Sequence, residues 1–171
     1  MVRNKKTGMC VPYAVRETLD KGRGVFADTQ IASGSTVWRH VLGLYTVFNE
    51  SSLRSLLPHL SHDDVVYVLE HIHCMHEFPD FMVWTFEEGE LINHSDNPNM
   101  CTHTAPGYSD VLSAGSPAEV ETALSGHHFT LVASSDIQAG EELTLDYNDA
   151  PDDPQYYDEL CDVYGLTWDW L

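Results

Sequence analysis

Apolar residues along this chain come mostly in short runs, interrupted every few positions by Gly, Pro, Asn or Asp. Residues 10–16 and 24–27 read as short strands with the polar turn "DKGRG" between them. The stretch "GSTVWRHVLGLYTVF" (34–48), rich in Val, Trp, Tyr and Thr, predicts one or two further β segments. A short helix is predicted over 50–57, ended by Pro58. "SHDDVVYVLEHIHCMHE" (61–77) predicts the clearest helix, because Val65, Val68, Leu69, Ile72 and Met75 form one apolar face and Ser61 with Asp64 resembles a capping box. After Pro79, "FMVWTF" predicts a buried strand, whereas 105–126, rich in Ala, Gly, Ser and Pro, predicts an exposed excursion or loose hairpin. "HHFTLVASSDI" and "EELTLDY" predict strands joined through a turn at "QAG", and "PQYYDELCDVYGL" predicts a closing helix that stops at Gly165. Many short strands and few helices describe an irregular, mainly β domain with small helical insertions.

Composition narrows the function classes. A chain of 171 residues, 43% apolar and 11% aromatic, is one domain able to bury a core without disulfides or metals. No apolar run reaches the length of a membrane span, and "MVRNKKTGMC" lacks the apolar stretch of a signal peptide, so cytosol or nucleus is the expected location. Cys10, Cys74, Cys101 and Cys161 are far apart and form no CxxC pair, which predicts reduced, mostly buried thiols. Charge is unevenly spread. All eight Lys and Arg lie within residues 3–54 beside four acids, while residues 55–171 carry 23 acids and neither cation, for a net −19. Such a field repels nucleic acid and anionic membranes and attracts basic partners. Adaptation to salt, or a generally acidic proteome, would produce the same total, so the two readings stand together. The seven acids between Asp146 and Asp162 are a local concentration that the total does not explain.

Several candidate chemistries fall away. On a helix, His71 and Cys74 would share one side and His73 and His76 another, so no single face gathers four zinc ligands and no metal is expected. No nucleophile elbow, HExxH or phosphate loop is present, and with 27 acids a chance pair of carboxylates carries no specificity. "KGRGVFA" lacks the third glycine and the following helix of a dinucleotide fingerprint, although its two glycines let backbone groups approach a small ligand closely. "ELINHSDNPN" (90–99) has the composition of a turn, and "AGEELTLDY" that of a turn and strand whose terminal tyrosine either packs in the core or points into a cleft.

Taken in order, Gly22-Arg23-Gly24-Val25-Phe26, Asn93-His94-Ser95 with Pro98-Asn99, and Gly140-Glu141-Glu142-Leu143-Thr144-Leu145-Asp146-Tyr147 resemble the motifs of the SET domain, the catalytic module of protein lysine methyltransferases. Asp136-Ile137 fits the same pattern. The resemblance covers about residues 10–150. It implies a domain over 1–150 with a helical insert near 50–77, several short β-sheets, and the Asn-His-Ser segment threaded pseudoknot-like beside the Asp-Tyr segment. S-adenosyl-L-methionine would be held by Lys21, Gly22, Arg23, Gly24, Asn93, His94 and Tyr147. Tyr147 would be the catalytic tyrosine at the mouth of a lysine channel lined by Tyr45 and Leu145. The substrate would be a histone tail or another lysine-rich protein, with no direct nucleic-acid or membrane partner, and the protein a monomer or homodimer. A catalytically silent SET-fold module that binds basic partners, and a small-molecule methyltransferase on the same scaffold, are the alternatives.

The departures are specific. Leu91 and Ile92 stand where many members carry Arg-Phe, with Glu90 ahead of them, and Asp96 stands where a cysteine often follows the serine. Val41 replaces a tyrosine usual two residues before a strand glycine, which makes Tyr45 the candidate for its place. Leu145 lies where members use Phe or Tyr to limit the extent of methylation, which implies room for higher methylation states. Zinc cysteines are missing from the segment after 150. Residues 151–171 therefore read as a post-SET-like tail whose Tyr156, Tyr157, Trp168 and Trp170 either close the cofactor site or pin the tail to the core.

Overall fold

The computed structural model describes residues 6–104, 115–126 and 129–166. The turn at "DKGRG" joins β1 (Tyr13–Glu17) to β2 (Arg23–Ala27) in an antiparallel hairpin, with Tyr13 opposite Ala27 and Glu17 opposite Arg23. Gly22 supplies the left-handed backbone of that turn at φ 71°. β3 (Thr36–Arg39), β8 (Met100–Thr104) and β9 (Phe129–Ala133) form a three-stranded sheet with β9 at its centre. A second three-stranded sheet places β6 (Phe78–Thr85) between β4 (Tyr45–Phe48) and β5 (Ile72–Met75). The last pair is a two-residue parallel contact between β7 (Asn93–His94) and β10 (Thr144–Leu145).

Among the described residues, four helices accompany these sheets. α1 (Glu50–Leu56) starts from a full capping box: the Asn49 side chain accepts from Ser52 N–H, and Ser52 Oγ accepts from Asn49 N–H. Pro58 lies in the 3-10 turn Leu57–His59 that follows. α2 (His62–His71) begins at Ser61, whose hydroxyl caps Asp64 N–H, and buries Val65, Val68 and Leu69. The helix expected to run on to 77 ends at His71. Ile72 is extended, and β5 pairs with β6 through Ile72–Trp84, His73–Val83 and Cys74–Met82. A 3.6-residue apolar pattern and an alternating one share Ile72, and the unpaired edge of β6 decides for the strand. The excursion expected over 105–126 contains α3 (Pro117–Ser125), capped by Ser116 and buried through Val120, Ala123 and Leu124; residues 105–114 lie outside the described residues. α4 (Gln155–Tyr164) stops at Gly165, φ 74°.

Three apolar clusters hold the domain. One joins β2 and β3 to the Ile92 and Leu143 segments. A second covers one face of the β4–β6–β5 sheet with α3 and Phe129. The third covers the opposite face with α1, α2 and α4. The architecture is mainly β, in several small sheets with few helices. All four cysteines are free, Cys74 and Cys161 buried but Cys10 and Cys101 exposed, so the expectation of mostly buried thiols holds for half of them. No helix among the described residues is long and apolar enough to cross a membrane.

Candidate cofactor and substrate site

The three motifs, scattered over 126 positions of sequence, meet at β7 and β10. Asn93 lies opposite Thr144 and His94 opposite Leu145, and Ser95 N–H donates to Leu145 O at 2.8 Å. Asn99 locks the register from the side: its Nδ2 donates to Glu142 O (2.8 Å) and its Oδ1 accepts from Thr144 N–H (3.0 Å). A two-residue parallel pairing is too short to hold by itself, and these side-chain bonds replace the missing ladder.

β2 closes the arrangement from a third direction. Asn93 Nδ2 donates to Arg23 O (3.2 Å) and to the Glu142 carboxylate (2.7 Å). A Cβ at Gly24 would lie within 2.9 Å of the Asn93 amide nitrogen and press on the Glu142 carboxylate, so this glycine is required by close approach rather than by its backbone angle. Gly22, by contrast, has open space above it. Lys21 Nζ reaches across to donate to His94 O (2.8 Å).

Tyr147 sits at the start of the 3-10 turn Tyr147–Asp149. Its N–H donates to His94 Nδ1 (3.1 Å) and its hydroxyl donates to Ile92 O (2.5 Å), while its ring lies 5.5 Å from the His94 ring. Because His94 Nδ1 accepts, the ring proton sits on Nε2, which faces Asp96 Oδ1 at 3.3 Å. Burial, and secondarily Glu142, raises the Tyr147 phenol above its ordinary range. A phenol so placed orients and accepts through its oxygen and does not ionise near neutrality. Leu145 is half-buried against the β2–β3 cluster.

Three expected site residues are elsewhere. Tyr45 is buried on the α3 side of its sheet, with its hydroxyl donating to Glu121 O (2.6 Å) and its pKa pushed up to about 12 by burial and Glu121. Tyr157 is 3% exposed and donates to Leu69 O (2.5 Å), which makes it a core residue between α4 and α2. Tyr156 lines an open cavity of about 520 Å³ with Asn49, Glu50, Ser51, Asp80, Phe81 and Gly115, and its hydroxyl lies against Asp80 O (3.3 Å). The tyrosine spacing Tyr156-Tyr157 suits one core-facing and one flanking position on an amphipathic helix, and that packing outweighs a role near Asn93. Trp168 and Trp170 lie outside the described residues. Sequence reasoning missed Glu142, which orients Asn93, and placed Asn99 in the motif and its turn without a bonding role. The paired acids in "GEEL" were the available signal for the first; for the second, an asparagine beside a proline reads as a turn until its distant partners are known. Among the described residues no three His, Cys, Asp or Glu side chains are grouped to hold a metal ion.

The donor set suits a small polar ligand: backbone at Gly22–Gly24 approachable at close range, an amide, an imidazole, and a fixed phenol. The sequence model of the SET domain matches residues 22–148. A histone-lysine N-methyltransferase Set8 of Drosophila melanogaster is 32% identical over 141 residues, 82% of this chain, and the chain spans 18% of that relative's length. The Neurospora SET domain protein DIM-5, a histone lysine methyltransferase, is similar in structure with a TM-score of 0.53 and 21% identity over 86% of this chain and 56% of that one. A Plasmodium falciparum putative histone methyltransferase gives a TM-score of 0.50 with 14% identity over 82% of this chain and 96% of that one. The ordered motifs, the parallel β7–β10 contact they build and these matches place the chain in the SET-domain family.

Proposed function

We propose that this domain methylates the ε-amine of lysine in a basic protein, a histone tail or another lysine-rich chain, using S-adenosylmethionine. The observation that carries the reading is the Tyr147 hydroxyl held on Ile92 O beside His94, at the junction of all three motifs. Lys21, Gly22, Arg23, Gly24, Asn93 and His94 would hold the cofactor. Bound there, it would supply a sulfonium methyl group for the lysine nitrogen, with S-adenosylhomocysteine as the leaving group. This chain contributes alignment and desolvation, since an in-line displacement needs little else. The lysine must arrive neutral, although its ordinary pKa is near 10.4. A half-buried approach past Leu145 and Tyr147 disfavours the ammonium, and the proton leaves to solvent before attack. The absence of Lys and Arg beyond residue 54 supports a cationic substrate.

Labelled S-adenosylmethionine with histones or lysine-rich proteins is expected to label substrate, and Tyr147→Phe to remove most of that label. Label undiminished in Tyr147→Phe rejects the assigned role. The mass spectrum of the product reads Leu145 as well: di- or trimethyllysine supports a roomy pocket, and monomethyllysine alone from a good substrate rejects it.

A further inference from the structure

Glu87 stands two residues past the end of β6, where an acid is ordinarily solvated, yet it is only 7% exposed. Its carboxylate accepts four hydrogen bonds from three separate parts of the chain. Oε2 takes the Thr7 hydroxyl (2.7 Å) and Gly8 N–H (3.1 Å), both from the segment ahead of β1. Oε1 takes the Trp38 indole N–H from β3 and Gly89 N–H (3.0 Å) from its own turn. A carboxylate offers acceptors only, so four converging donors suit it and leave no donor of its own unsatisfied. A Cβ on either Gly8 or Gly89 would stand 2.5 Å from the Trp38 indole nitrogen, so both segments close tightly around this group.

The same carboxylate caps the 3-10 turn Glu88–Leu91, and Ile92 closes that turn by donating its N–H to Gly89 O (3.3 Å). Ile92 is 3% exposed, and its carbonyl takes the Tyr147 hydroxyl. A line of hydrogen bonds therefore runs from Glu87 to Gly89, from Gly89 to Ile92, and from Ile92 to the Tyr147 oxygen. His94 holds the Tyr147 backbone and lies beside its ring. Among the described residues, Ile92 O is the one hydrogen-bond partner of the hydroxyl and sets where it points.

We infer that Glu87 is a positioning residue for the reaction: it fixes the turn that carries Ile92 O and so aims the Tyr147 hydroxyl, with Thr7 and Gly8 as the outer half of the clamp. The inference rests on the proposed catalytic role of Tyr147. The Glu87 carboxylate is occupied by protein donors, so it acts through Tyr147 and not by holding a ligand. A four-residue turn is too short to absorb a shift at one end, so a displacement of Gly89 carries to Ile92. Methyl transfer depends steeply on alignment, and a misdirected hydroxyl lowers the rate more than it lowers binding. The segment at Thr7 and Gly8, well ahead of the first motif in sequence, thereby joins the catalytic unit.

Glu87→Gln and Thr7→Val test this through turnover, S-adenosylhomocysteine calorimetry and fluorine NMR of protein carrying 3-fluorotyrosine. The Tyr147 signal is assigned by its loss in Tyr147→Phe. The first substitution turns an amide NH2 toward two of the donors; the second removes one donor and leaves the Gly89 side intact. In the folded proteins kcat is expected to fall about tenfold in Glu87→Gln and less in Thr7→Val. The cofactor KM and S-adenosylhomocysteine affinity change less than kcat does, and the Tyr147 fluorine signal moves in both variants. A merely structural Glu87 would lower the melting temperature and leave kcat and the fluorine signal at parent values, which overturns the inference. A fall in S-adenosylhomocysteine affinity by the same factor as kcat also overturns it. If Glu87→Gln does not fold, Thr7→Val decides on the same readouts. A parent protein that labels no lysine-rich protein overturns the proposed function instead, and the fluorine signal still reports whether Glu87 aims Tyr147.

Discussion

The β2–β7–β10 junction and the helical face of the β4–β6–β5 sheet hold together by different physics. The junction is joined by side-chain amides and an ammonium reaching backbone groups far away in sequence: Asn93 to Arg23, Asn99 to Glu142 and Thr144, Lys21 to His94. The helical face is joined by burial of Leu53, Leu57, Val65, Val68, Leu69, Leu160 and their neighbours. Directional bonds set atom positions and leave the backbone open at the ligand side; apolar burial supplies stability and tolerates small shifts. The division of labour predicts that stability and ligand affinity respond to different substitutions.

Leu69→Ala should give the largest stability loss, about 3 kcal/mol from lost burial and a residual cavity, with S-adenosylhomocysteine affinity unchanged in the folded protein. Denaturant melts and calorimetry read the two quantities; a parallel fall in affinity would join the regions that we separate. Asn99→Ala should cost less, about 2 kcal/mol for two backbone groups left without their partner, yet weaken S-adenosylhomocysteine binding, because the β10 strand that presents Tyr147 loses its brace. Affinity equal to the parent's would show that the short β7–β10 pairing holds without Asn99.

The smallest effect belongs to the seam between the two apolar clusters that flank β3. His40 is 3% exposed, its ring lies edge-on to Trp38 (4.6 Å) and Tyr45 (5.1 Å), and neither ring nitrogen has a hydrogen-bond partner. Burial, and secondarily His73, lowers its pKa to about 3. An unfolded histidine takes a proton near 6.5, so between those values the unfolded chain binds more protons than the folded one. Stability is therefore lost as pH falls from about 6.5 towards 3. His40→Phe should raise stability near pH 7.5 by about 1 kcal/mol, by removing an unpaired buried polar group, and should flatten that acid slope. An unchanged slope, measured by urea unfolding across the range, would show that His40 is not its source.

Legibility in the sequence followed the same division. Gly24, Asn93, His94 and Tyr147 were recognisable because close approach and directional bonding admit few residue types, so the motif survives as a pattern of identities. Tyr45, Tyr156 and Tyr157 lie away from β7 and β10, because an aromatic residue serves a core and a binding site equally well, and only its neighbours decide. Tyr157 went to Leu69 O and Tyr45 to Glu121 O, both carbonyls supplied by helices distant in sequence. The helix read over 61–77 failed at Ile72 for a related reason, since periodicity does not reveal that β6 offers an open edge.

By itself, the sequence determined the family, the order of the short strands, the helix caps at Ser61 and Gly165, and the acidic field. Those properties are local or additive: a cap needs only the next few residues, and charge is a sum. Tertiary structure alone decided that Asn99 braces β10, that Glu142 orients Asn93, that Glu90 meets Tyr67, and that α2 yields to a strand at Ile72. The first three depend on groups 23 to 49 residues apart, and contacts at that range exist only once the whole chain has paid the entropy of closing them.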